Sequence, residues 1–309
     1  MLILIAGITG TLGQRLANVA ISRRISIRGL GRNPDALSPE LSPHLEAFIK
    51  STSYYDIPAL EKAVSGVDAV INAYALVPVL DLDGHLLLLR VAERANIKIS
   101  IASSWSRDWT NLKFGDFEHY NNHIAFEHQI ATTRSIRPAS VLTGLFADLF
   151  YTPYGPGGFD TRAEKPRMRY WGADDAGATD KWPWSTQADA AEYTIDMLLH
   201  GKGVRAGEGG FSRIRSGTTT VRELAVMYER VHGVQVDGTR EGSVEELEAE
   251  LARLRLLQKG RAAYIEYMWE AAAVVASKGL WENPDVTLLE QFRKPTSLEE
   301  YFEGEKNKV

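Results

Sequence analysis

Four consecutive apolar residues, Leu2 to Ile5, stand at the start of the chain and lead into Gly7. An unbroken run of that length reads as a strand buried on both faces. From Leu12 the period changes, and Leu12, Leu16, Val19 and Ala20 recur at helical spacing. The same alternation then repeats. Ile25–Leu30, Ala47–Lys50, Ala69–Ala73, Ile97–Ala102 and Ala139–Leu142 read as five more strands. Ile57–Val64 behind Asp56, Leu82–Ala95 and Glu118–Thr133 read as helices between them. Strands that alternate with helices at this spacing predict an α/β fold built on a doubly wound parallel sheet.

After Phe150 the pattern breaks. Residues 151–185 are rich in Gly, Pro and aromatic side chains, and a long irregular stretch of this kind reads as a binding loop or lid. Thr186–His200, Thr220–Val231, Ser243–Gln258 and Arg261–Lys278 follow as helices. The expected organisation is a nucleotide-binding domain over residues 1–150. A smaller, mostly helical substrate lobe over residues 151–309 packs on it and does not fold independently. Tyr151, Tyr154 and Trp171 are the expected aromatic lining, with Trp105 and Phe146 at the ends of the fifth and sixth strands.

The 309 residues are 44 % hydrophobic and 24 % charged, with a net charge of −5. No basic block stands out, so nucleic acid is not an expected partner. With no cysteine, disulfides and Cys-ligated zinc are excluded, which suits a reducing cytoplasm. No apolar run approaches the ~20 residues of a membrane helix. A monomer or homodimer acting on a small molecule is expected.

The chemistry begins at the first strand's end. Gly7, Gly10 and Gly13 are spaced G-x-x-G-x-x-G between a strand and a helix, the context of a Rossmann-type dinucleotide loop. Gly7 would permit the tight turn, Gly10 the approach of a pyrophosphate, and Gly13 close packing of helix on strand. The N–H groups around Leu12 at the helix start would hold phosphate, with hydroxyl donors from Thr9 and Thr11. Past the second strand, where an NAD site carries an acidic residue, stand Arg32 and Asn33. A guanidinium there suits a 2′-phosphate, so NADPH is the expected cofactor. Asn72, Ala73 and Tyr74 end the fourth strand, at the edge where such sheets bind ligands.

With these residues in place, the chain resembles the NmrA-like and isoflavone-reductase-like branch of the atypical short-chain dehydrogenases. The resemblance rests on Gly7–Gly13, Arg32, Gly66-Val67-Asp68-Ala69-Val70-Ile71, Ser103-Ser104-Trp105-Ser106 and Gly144-Leu145-Phe146. It continues through Trp184-Ser185-Thr186 to Asp189 and Pro295–Glu300, where it is closest to fungal members. It implies a Rossmann fold, bound NADP(H) with Ser103, Gly144 and Phe146 near it, and either reductase activity or a redox-sensing regulatory role.

The departures bear on mechanism. The Tyr-x-x-x-Lys pair of ordinary short-chain dehydrogenases is missing, and no Lys lies between Lys113 and Lys165. His123 stands four residues before Glu127, where family reductases often keep a lysine. It is therefore the expected proton donor, with Tyr120 three residues away and Ser103 and Ser104 orienting a carbonyl. His119 and His123 lack a third ligand, so no metal is expected. The expected function is reduction of a C=C, C=N or C=O bond in a small, aromatic secondary metabolite, with or without cyclisation. The alternative is a non-catalytic NADP(H) sensor.

Overall fold

The computed structural model describes residues 1–75, 79–132, 136–160, 165–173, 176–257, 261–282 and 292–306. Thr133 and Gln258, the ends of two expected helices, lie outside them, as do residues 161–164 and 174–175 of the aromatic stretch.

The chain opens as β1 (Leu2–Ala6), α1 (Thr11–Ser22), β2 (Ser26–Gly31), β3 (Leu45–Lys50), α2 (Ile57–Val64), β4 (Ala69–Asn72), α3 (Leu82–Arg94), β5 (Ile99–Ile101), α4 (Asn121–Ile130) and β6 (Ala139–Leu142). It continues through short β7 (Leu145–Phe146), β8 (Arg167–Trp171), β9 (Trp182–Ser185), α5 (Gln187–His200), α6 (Lys202–Ala206), β10 (Gly210–Arg213) and β11 (Gly217–Thr219). The last elements are α7 (Val221–His232), β12 (Asp237–Gly242), α8 (Val244–Leu256), α9 (Met268–Ser277) and α10 (Leu298–Lys306).

Two compact units divide these elements. The first holds Met1–Trp105, Asn122–Leu142 and Gln187–Arg213; the second holds Ser106–Asn121, Thr143–Thr186 and Ile214–Val309. The first unit is built on a seven-stranded sheet in the order β10-β6-β5-β4-β1-β2-β3, parallel throughout. The strand order reverses direction at the β1–β4 boundary, the place where open α/β sheets bind ligands beyond their carboxyl ends. Ile3, Leu4 and Ile5 have no exposed surface, because helices cover both faces of the sheet. Leu4, Leu30 and Val70 share one side of the core with Leu60, Leu88 and Ala92 from α2 and α3.

The turns back to the sheet repeat one device. Arg24 after α1 and Asn96 after α3 take left-handed φ of 59° and 58°. The N–H groups of the next residues, Ile25 and Ile97, donate to the Ala20 and Ala92 carbonyls. Orphan carbonyls at the helix ends are thereby satisfied, and the chain reverses into the next strand.

The second unit holds two small sheets, β11-β9-β7 and β12-β8. Its core packs Phe150, Phe159, Met168, Trp184, Leu224 and Phe302. Two expected helices begin as 3₁₀ turns instead. Glu118–Tyr120 precedes α4, and Arg261–Tyr267 precedes α9.

Candidate functional site

The three loop glycines differ in what the fold asks of them. Gly7 has φ +82°, and a Cβ there would lie 2.5 Å from the Ala73 carbonyl oxygen. A Cβ on Gly13 would lie 2.4 Å from the Gly7 oxygen and 2.8 Å from Ile8 Cα. Both glycines are therefore required for packing. Gly10 has φ −76° and is exposed; an added Cβ would meet only the Gly7 oxygen, at 3.4 Å. Neither the backbone conformation nor the packing of the protein requires glycine at this position.

Gly10 is also the N-cap of α1, and no side chain caps that helix. By contrast, Asp56, Asp81, Thr220 and Ser243 cap α2, α3, α7 and α8. The first turn of α1, with Thr11 exposed and Leu12 half-buried, leaves its N–H groups to whatever lies beyond it. Gln14 braces the loop from behind, its amide donating to the Thr9 and Ala36 carbonyls and accepting the Ser38 N–H.

Arg32 is exposed at the carboxyl end of β2, its guanidinium 5.4 Å from the centre of the Tyr54 ring. Tyr54 stacks on Tyr74 with centroids 4.1 Å apart and planes 21° from parallel. Arg32 is thus steered by an aromatic pair, of which Tyr54 was not among the expected site residues because nothing in its local sequence marks it. Asn33 is occupied: its side-chain oxygen accepts the Asp35 N–H at the start of a 3₁₀ turn. Asn72 is buried and engaged at both ends, accepting the Tyr74 N–H and meeting His85 Nδ1 at 3.0 Å. Burial pushes His85 down to about 4, so it is neutral at pH 7.

Ser103 and Ser104 are buried with hydroxyls on the backbone. Ser103 donates to the Tyr74 carbonyl at 2.8 Å; Ser104 accepts the Val141 N–H at 2.7 Å. They fasten the carboxyl ends of β4, β5 and β6 together. The Trp105 indole is buried in the first unit and donates to Thr194 at 2.9 Å.

His123 and Glu127 stand one turn apart on α4. His123 is 2 % exposed, and Glu127 is half-buried. Desolvation pushes the Glu127 carboxyl up to about 7. This glutamate is thereby a group that titrates near neutral pH. Because its folded pKa lies above the unfolded value, the folded chain holds the proton more tightly. The associated stability is complete below about pH 4.5 and is lost as pH rises through 7. Glu127→Gln is therefore expected to gain about 1–2 kcal/mol over the parent at pH 8, after allowance for partial exposure, and nothing at pH 4. Urea unfolding of both proteins at the two pH values checks this.

Tyr120 belongs to the second unit and is 1 % exposed. Its hydroxyl accepts the Arg107 backbone N–H at 3.1 Å, and burial pushes its pKa up. Gly144, at φ +74°, answers a structural demand, since a Cβ would lie 2.3 Å from the Pro183 oxygen. Phe146 is half-buried in β7. Tyr151 lies against Phe159, Tyr228 and Phe302, and its hydroxyl donates to the Leu224 carbonyl. Tyr154 is 45 % exposed. Trp171 lines a cleft of about 290 Å³, open mouth included, with Arg169, Asp180, Trp182 and Trp269. Burial and Glu282 push Asp180 up to about 6. Of the five expected aromatic residues, this cleft takes in one.

Among the described residues, no group of three or more His, Cys, Asp or Glu is placed to hold a metal, and no helix is long and apolar enough to cross a membrane.

A search of curated proteins finds no match. Among solved structures, isoflavone reductase is similar at TM-score 0.72 and 18 % identity, covering 98 % of each chain. Leucoanthocyanidin reductase from Vitis vinifera, in complex with NADPH, is similar at TM-score 0.72 and 16 % identity over 100 % of each chain. An NADPH-dependent quinone oxidoreductase from Escherichia coli, also complexed with NADPH, is similar at TM-score 0.71 and 20 % identity, covering 98 % of this chain and 99 % of that one. At these identities the likeness establishes the shared fold. The profile of the NmrA-like family matches residues 1–302, and the chain belongs to that family.

Proposed function

We propose that the protein is an NADPH-dependent oxidoreductase of a small aromatic substrate, reducing a C=C, C=N or C=O bond. The observation that carries the cofactor is the uncapped start of α1 beside Gly10, a glycine no protein atom requires. Leu12 and Gly13 N–H groups hold the pyrophosphate, with Thr9 and Thr11 beside them, and Arg32 on Tyr54 takes the 2′-phosphate. Both similar NADPH complexes support this reading. Bound there, the cofactor supplies a hydride.

The chain's own part is the proton. Glu127 on α4, its carboxyl pushed up to about 7, holds one near neutral pH, and His123 stands one turn before it; both sit in the first unit with the glycine loop. Tyr120, its pKa pushed up by burial, is the weaker acid and orients rather than donates. Ser103 and Ser104, with hydroxyls spent on the backbone, position the strand ends. The aromatic cleft of the second unit supports a flat substrate.

Arg32→Ala is expected to weaken NADPH binding by ~1–3 kcal/mol through loss of a charge-assisted contact and to leave NADH binding nearly unchanged. Calorimetric titration with both cofactors measures it, and equal losses would remove Arg32 from 2′-phosphate recognition. The second reading, an NADP(H) sensor without turnover, is favoured by one observation: no lysine stands between Lys113 and Lys165. NADPH oxidation against a panel of quinones, enones, imines and aromatic carbonyls decides between the two. Tight NADPH binding with no turnover on any of them selects the sensor.

A further inference from the structure

The second unit contains a half-buried arginine, Arg107, whose side chain nothing in the site above employs. The Arg107 guanidinium lies 4.7 Å from the Trp281 ring centre and 5.6 Å from that of Trp182, and the two indoles meet at 5.2 Å. Its Nε and Nη2 are buried without a hydrogen-bond acceptor, and so are the indole N–H groups of Trp182 and Trp281. The Tyr120 hydroxyl is a hydrogen-bond partner of the Arg107 side chain, yet Nε, Nη2 and the two indole nitrogens of this cluster have no acceptor. Leaving one such donor unmade costs roughly 1–3 kcal/mol, and more when it is charged.

Contact with two aromatic faces offsets part of this cost, but it leaves the in-plane N–H edge of the guanidinium unfilled. That edge has a defined preference within this same chain. Arg28 uses Nε and Nη2 to grip both oxygens of Glu46, at 2.8 and 2.9 Å. Arg253 uses the same two atoms on Glu250, at 2.7 and 2.6 Å. Exposed Arg23, Arg167 and Arg230 also have carboxylate partners. The chain carries 40 acidic residues against 35 basic ones, yet the buried Nε and Nη2 of this half-buried arginine meet no carboxylate among the described residues. A planar two-oxygen anion is what the fork fits, and the flanking indoles suit a ring attached to it.

We propose that Arg107, with Trp182 and Trp281, binds the carboxylate of an aromatic acid. That this acid is the substrate rests on the reductase reading above; that it binds does not. Asp180 and Trp182 also line the cleft, so the second indole is common to the cleft and the cation cluster.

The test uses the full chain without cofactor. Cinnamate and its neutral counterpart cinnamyl alcohol are titrated by calorimetry, with tryptophan fluorescence as the second readout. Cinnamate is expected to bind at least about tenfold more tightly than the alcohol and to quench the fluorescence. Arg107→Gln should bring cinnamate down to the level of the alcohol, and Arg107→Lys, which keeps the charge and loses the fork, should fall between. NADPH binding by each variant reports that it is folded. Should Arg107→Gln fail to fold, the acid–alcohol contrast in the parent and the Lys variant still decide. Equal binding of acid and alcohol, no binding of either, or an undiminished preference in the variants would overturn the proposal. Cinnamate binding together with no NADPH turnover on any compound of the panel above would sink the reductase reading and leave this one standing.

Discussion

His123→Ala lowers turnover by ~10²–10⁴-fold, the typical contribution of a positioned general acid, and leaves NADPH affinity within about twofold. The expectation follows from α4. A polar double bond that accepts hydride must also gain a proton, and the chain has neither Tyr-x-x-x-Lys nor a lysine anywhere on this helix. His123 stands on this helix, and Glu127, one turn on, has its carboxyl pushed up to about 7 by burial. If the two share the proton, the rate falls as pH rises through 7, and Glu127→Gln removes that inflection while altering the rate plateau. Tyr120→Phe loses less, because the hydroxyl already accepts the Arg107 N–H and burial makes it a poor acid. Unchanged single-turnover rates in His123→Ala and Glu127→Gln would take α4 out of the chemistry.

What the sequence disclosed, and what it did not, follows from where the determining contacts lie. The β1–Gly7–α1 unit is local: an apolar run, glycines at fixed spacing and a helical period all sit within twenty residues. The central sheet was legible for the same reason, because strands buried on both faces read as continuous apolar runs. β10 was not, since Gly-Phe-Ser-Arg at the sheet edge pairs only with β6 and is half-exposed. Its membership is set by that pairing and not by its own residues. The roles of single side chains depend even more on distant partners. Ser103 and Ser104 looked like free hydroxyls at the ligand edge, but Tyr74 and Val141 claim them from 29 and 37 residues away. Tyr151 looked like pocket lining and is held among Phe159, Tyr228 and Phe302. Glu127 and Tyr54 acquire their character only through burial and stacking, neither of which has a signature in one dimension.

Gly10→Val and Gly13→Val, three residues apart in one motif, are expected to fail in opposite ways. At Gly10 the backbone is in an extended conformation that valine adopts readily, and the new Cβ has only the Gly7 oxygen near it, at 3.4 Å. The fold should therefore survive, with a Tm within a few degrees of the parent. NADPH binding should drop by about 100-fold or more, because the branched side chain fills the space where the pyrophosphate approaches the α1 N–H groups. At Gly13 the new Cβ would lie 2.4 Å from the Gly7 oxygen and 2.8 Å from Ile8 Cα, both backbone atoms that cannot step aside. Overpacking against fixed backbone costs about 3 kcal/mol or more, so Tm should fall by roughly 6 °C or more, and binding should fail with it. Thermal unfolding beside NADPH titration separates the two, since Gly13→Val loses both stability and binding whereas Gly10→Val loses binding alone. If Gly10→Val titrates like the parent, the glycine loop is a structural turn, and the NADPH site proposed at the head of α1 is lost with it.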